Sequence, residues 1–77
     1  MSDPHAPYRA LRNTDRLIAE GQYRLERHHH HLEWLQEQHC NAEEAVQVLH
    51  ALEEELASLR QERDALIRSL AQPPVVH

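Results

Sequence analysis

The sequence QHCNAEE, residues 38–44, separates the chain into two halves and marks where it turns. It lies between two long segments with helical periodicity, and it contains the start signal of a helix. Asn41 is a favoured N-cap residue, and Glu44 stands three positions later, where its carboxylate can accept the backbone N–H of Asn41 in a capping box. The stretch therefore predicts a tight turn at residues 39–41 between two helices.

The segment before the turn, residues 8–38, has the period of an α-helix. Its large apolar residues are spaced by seven and then by three: Leu11, Ile18, Leu25, Leu32 and Leu35. Residues with this spacing lie on one side of a helix and form an apolar seam. Pro4 and Pro7 disfavour a helix further upstream, so residues 1–7 are predicted to form a tail.

The segment after the turn, residues 42–71, carries a stronger seam. Its apolar members are Leu49, Leu52, Leu56, Leu59, Leu66 and Leu70. Their spacing alternates between three and four when Arg63 is included, as in coiled coils. Arg63 is predicted to help set the register by reaching Asp15 on the facing helix or a glutamate on another chain. Two prolines then stop the helix, and residues 72–77 are predicted to form a second tail.

A chain of 77 residues with a single glycine has room for one small helical domain. A short connection makes consecutive helices antiparallel neighbours, so the predicted fold is an all-α antiparallel hairpin. With the turn centred near Cys40, residues whose numbers add up to about 80 or 81 lie level. In that register Gly21 faces Leu59, and His28 faces Leu52.

One seam shared by two helices is a small core for a chain of this length, and such chains usually need oligomerisation, a metal or disulfides as well. Apolar residues beside the seam widen the stripe, and a second stripe lies on the first helix. The predicted partner contacts are Leu17, Val46, Val48 and Ile67 beside the seam, and Tyr23, Arg27, His30 and Trp34 in the second stripe. A homodimer packed as a four-helix bundle would cover them; the alternatives are another helical protein as partner and, for the second stripe, a solvent-exposed stack.

The stretch RLIAEGQYRLER, residues 16–27, resembles the first helix of a group of small bacterial helical-hairpin proteins of unassigned function. Residues 45–56, AVQVLHALEEEL, and residues 63–70, RDALIRSL, resemble the second helix. The similarity covers about residues 11–70. The resemblance implies a hairpin architecture and no particular activity.

Four successive histidines, residues 28–31, fan around most of the circumference of a helix, so they cannot all bind one ion. His28 and His31 share a face, and His50 on the second helix is the candidate third ligand. The run is interpreted as solvated surface histidines, as a weak site for nickel, zinc or copper, or as a physiological metal site. No other cofactor is predicted. His28 itself lies on the seam, where its ring either finds a buried partner or tilts towards water.

Charge and hydropathy exclude several classes of function. The net charge is −5, and all eight basic residues are arginine, so the chain is a poor ligand for nucleic acid, whose binding depends on neutralising phosphates. No apolar run approaches the roughly 20 residues that span a bilayer.

A single cysteine, Cys40, forms no disulfide within the chain and predicts a reducing, cytoplasmic location. No catalytic residues and no enzymatic activity are predicted, because a two-helix hairpin offers no obvious pocket. Cys40 is interpreted as a passive residue or as a thiol that cross-links dimers.

Overall fold

In the computed structural model, residues 4–71 are described, and they form two helices, α1 (Ala6–Glu37) and α2 (Glu43–Ala71). The helices pack against each other over lengths of roughly 45 Å. The predicted all-α helical hairpin is confirmed. Of the two predicted tails, residues 1–3 and residues 72–77 lie outside the described residues.

The first helix begins two residues earlier than the sequence predicted. Ala6 is its first residue, and Pro7 lies within its first turn. A proline is tolerated there because the N–H groups of the first turn have no intrahelical acceptor. The backbone N–H of Arg9 donates to the carbonyl of His5 at 3.0 Å and starts the helical bonding pattern. Residues 6 and 7 therefore belong to α1, and the predicted tail is shorter.

At its C-terminus, α1 ends in a Schellman motif. The backbone N–H of Cys40 donates to the carbonyl of Leu35 at 2.9 Å, and that of His39 donates to the carbonyl of Gln36 at 3.1 Å. His39 adopts the left-handed conformation, with φ of 56°. The motif satisfies carbonyls that the helix end would otherwise leave without partners, and it reverses the chain within a few residues.

The start of α2 is capped by the residue that the sequence singled out. The side-chain Oδ1 of Asn41 accepts the backbone N–H of Glu43 at 3.0 Å. The first helical bond runs from the N–H of Val46 to the carbonyl of Ala42 at 2.9 Å, so α2 begins one residue later than predicted. Within residues 4–71, the Glu44 carboxylate does not accept the backbone N–H of Asn41, so the capping box is half formed. Glu43 and Glu44 still lie at the positive end of the helix dipole.

Replacing His39 with glycine is expected to stabilise the hairpin by about 1 kcal/mol, because glycine adopts a positive φ without the steric penalty of a Cβ atom. Urea denaturation followed by circular dichroism at one fixed protein concentration measures the change. The matched control is His29→Gly, the same substitution at an exposed position inside α1, which should destabilise by up to about 0.5 kcal/mol. A loss of stability in His39→Gly would contradict this account of the turn.

The seam between the helices is a thin core. Of its eleven predicted apolar residues, Leu49 and Leu56 are buried, at 6% and 2% exposure, and the other nine are half-buried. Thr14 is the remaining buried residue in the described part of the chain. Its hydroxyl donates to the carbonyl of Ala10 at 2.8 Å, so this polar group is satisfied within α1. Two helices alone therefore leave most of the seam partly open to water.

The register differs from the predicted one at Gly21. A Cβ atom built on Gly21 would lie 2.8 Å from Cδ2 of Leu56, so Leu56 packs directly over the glycine. The prediction that Gly21 faces Leu59 was therefore wrong: Gly21 faces Leu56, the preceding seam residue on α2. The numbers of the contacting pair, 21 and 56, add up to 77, so the turn is centred near Gln38 and His39, where the Schellman motif lies, and not near Cys40.

An ion pair between α1 and α2 supports this register. The guanidinium of Arg63 donates from Nε to Oδ1 of Asp15, as the sequence predicted. Both side chains are about half exposed, so the pair contributes under about 1 kcal/mol to stability. Its main effect is to favour one alignment of the helices over slipped alternatives, since a charged seam residue restricts the acceptable registers.

Candidate partner-binding surface

The described residues expose several large apolar side chains. They are Tyr8, Leu17, Tyr23, Trp34, Val48 and Ile67. Tyr23 and Trp34 are the most notable among the predicted contacts, at 63% and 53% exposure, and Val46 is half-buried. Aromatic side chains of this kind are enriched at the energetic centres of protein interfaces.

The eight predicted contact residues fall on three different surfaces. Leu17 and Val48 lie on one side of the seam, here called the first flank, and Val46 and Ile67 lie on the other side, the second flank. The four residues of the second stripe occupy the outer surface of α1, away from α2: Tyr23, Arg27, His30 and Trp34. A single flat partner cannot cover all three surfaces at once.

The outer surface of α1 is organised by two ring contacts. The guanidinium carbon of Arg27 lies 5.9 Å from the centre of the Tyr23 ring, a cation–π geometry. The Trp34 ring stacks on His31, with centroids 6.3 Å apart and an interplanar angle of 14°. His30 instead approaches the carboxylate of Glu33, at 3.9 Å. Of these contacts, only the one between Tyr23 and Arg27 joins two members of the predicted stripe; Trp34 and His30 contact His31 and Glu33, which lie outside it.

A shallow groove of about 330 Å³ adjoins the first flank. It is lined by Arg24, Arg27, His28 and His31, and we call it the basic groove. These residues are spaced by three, one and three, so they share one side of α1. No carboxylate lines the groove, although the chain as a whole is acidic. His28 lines this groove and is half-buried, so its ring is neither fully enclosed nor fully exposed to water.

The proposed metal ligands do not form a site in this structure. Within residues 4–71, no three His, Cys, Asp or Glu side chains are grouped closely enough to hold an ion. His28 and His31 share the basic groove, but His50 does not join them. The expected nearness of His31 and His50 depended on the predicted register, and the observed contact of Gly21 with Leu56 shifts α2 by about one turn.

Cys40 is exposed in the turn, and its thiol approaches the carbonyl of Gln38 at 3.8 Å. The side chain is accessible, as the cross-linking of dimers requires.

Within residues 4–71, neither helix contains a segment apolar enough to span a bilayer.

Two features of this surface were missed by sequence reasoning. Tyr8, 59% exposed, was treated only as the first residue of a helix. Arg24 was not assigned a role, although it stands seven residues after Leu17 and seven before His31. That heptad spacing was the available signal, since it places all three residues in one row along the first flank.

Comparison with known proteins gave no match to this chain, whether with protein-family models, with curated proteins or with solved structures. The surface is therefore interpreted from its own chemistry.

Proposed function

We propose that this chain is a non-enzymatic, self-associating helical-hairpin module that acts in the cytoplasm. The observation that carries the proposal is the small number of apolar side chains that the hairpin buries. Leu49 and Leu56 are the two apolar side chains buried within residues 4–71, while large apolar groups remain exposed along the flanks. Burying such groups contributes about 25 cal/mol per Å², so a second copy that covers a flank stabilises both hairpins.

The chemistry of the surface also favours an interaction role. The grooves of the described hairpin are shallow, and they bring together arginine, histidine and aromatic side chains rather than an oriented nucleophile and base. The resemblance to small bacterial helical-hairpin proteins implies the same architecture. A second copy is the simplest partner, because closed symmetric dimers are the commonest assemblies of soluble proteins.

The dependence of the melting temperature on protein concentration tests the proposal. If folding and association are coupled, raising the chain concentration from about 1 to about 100 μM should raise the midpoint by roughly 5 to 10 °C. Thermal denaturation followed by circular dichroism at both concentrations gives the answer. A cooperative transition at one temperature, independent of dilution, would contradict self-association.

A further inference from the structure

Two rows of side chains run along the first flank. On α1 the row is Leu17, Arg24 and His31, and on α2 it is Val48, Glu55 and Glu62, each with a spacing of seven residues. The structure brings the rows together, because Arg24 and Glu55 both line a groove with Gly21 and Leu56. The first flank therefore carries a positive charge on α1 beside a negative charge on α2, at nearly the same level.

Within residues 4–71, neither of these two side chains forms an ion pair of the kind that joins Arg63 to Asp15. By contrast, Asp15, which lies beside the seam on the second flank, is already paired within the chain. On the second flank of the described hairpin, the unpaired opposite charges, Glu53 and Arg60, both lie on α2, whereas the first flank carries one on each helix, beside exposed Leu17 and Val48.

Only two simple two-fold arrangements pack this flank against its own copy. An axis across the hairpin places α1 against α1, and it brings Arg24 to Arg24 and Glu55 to Glu55 when it passes at their level. An axis parallel to the hairpin places α1 against α2, so Arg24 faces Glu55 twice. Opposite charges in apposition favour a register, and only the parallel axis places Arg24 against Glu55, so electrostatics favours that axis.

We propose that two copies associate through the first flank about a two-fold axis parallel to the hairpin, with Arg24 of each copy facing Glu55 of the other. The proposal rests on the self-association proposed above and defines its surface. It makes Arg24, one of the residues that line the basic groove, the contact for the Glu55 carboxylate of the second copy.

Charge exchange tests the arrangement. The variants Arg24→Glu and Glu55→Arg each place like charges at both symmetric contacts, so the dimer Kd of each should rise about tenfold or more by sedimentation equilibrium. An equimolar mixture of the two variants restores opposite charges at both contacts. Its heterodimer should bind within about threefold of the wild-type affinity, if pairs of this kind contribute equally in either orientation.

Arg12→Glu and Glu54→Arg, at exposed positions off the first flank, are the matched controls and should leave the Kd unchanged. Single variants that dimerise as tightly as the wild type would overturn the proposed axis. A mixture that stays as weak as the single variants would also overturn it, because repulsion within each chain would then explain the loss. A wild-type chain that is monomeric throughout would overturn self-association itself, which separates that failure from a wrong choice of axis.

Discussion

Replacing Leu56 with alanine is expected to lower the free energy of unfolding by about 2 to 5 kcal/mol, the largest effect of any single substitution considered. Leu56 is 2% exposed and is the most buried side chain in the described part of the hairpin. Its removal leaves a cavity against Gly21, where no side chain exists to fill it. Urea denaturation by circular dichroism at fixed protein concentration measures the loss.

A matched control separates core packing from helix propensity. Glu54→Ala lies nearby on α2 but is exposed, so its effect should stay within about 0.5 kcal/mol. For a chain of 77 residues, total stability is on the order of 4 to 12 kcal/mol, and the Leu56 variant should therefore be largely unfolded in mild denaturant. Equal effects from the two variants would show that the seam is not the core.

Replacing Gly21 with valine is expected to destabilise the hairpin by about 2 to 3 kcal/mol. A Cβ atom at this position would meet Leu56 Cδ2 at 2.8 Å and Cγ at 3.3 Å, and valine adds two methyl groups to that clash. Overpacking of a filled site costs about 1 to 3 kcal/mol, whereas the gain in helix propensity over glycine is a few tenths. Gly21→Ala should lose less, because its propensity gain of about 1 kcal/mol offsets part of the strain.

The double variant Gly21→Ala/Leu56→Ala identifies the cause of the loss. With Leu56 shortened, the added Cβ atom has room, so the Gly21→Ala change should become neutral or stabilising. The same denaturation measurement on the four members of this cycle gives the coupling energy. Additive losses, with no coupling, would show that Gly21 does not limit the approach of the helices.

The fold was predictable from the sequence because its signals are periodic and redundant. Two leucine seams interrupted at residues 38–44 specify two helices, and Asn41 caps the second helix as expected. The exact register was not predictable, because it depends on the backbone conformation of the turn. His39 adopts the left-handed conformation in a Schellman motif. The sequence does not predict this motif, because glycine is the usual residue at that position.

The candidate surface was predicted in part. Apolar residues were predicted from their positions beside the seam and aromatic residues from a second stripe on the first helix, and most of them are exposed in the hairpin. Their division among three surfaces required the orientation of each residue around its helix, which simple apolar patterning does not weigh. The histidine set failed for a related reason: a metal site needs ligands placed within a few ångströms, and a shift of one turn in register separates them.

Sedimentation equilibrium of the unmodified chain measures self-association without any substitution. At concentrations of about 10 to 100 μM, we expect a species with twice the 9.1 kDa mass of one chain, which dissociates on dilution as its helicity falls. A folded species of 9.1 kDa at every concentration would contradict the account, because two helices with two buried leucines between them would then suffice on their own.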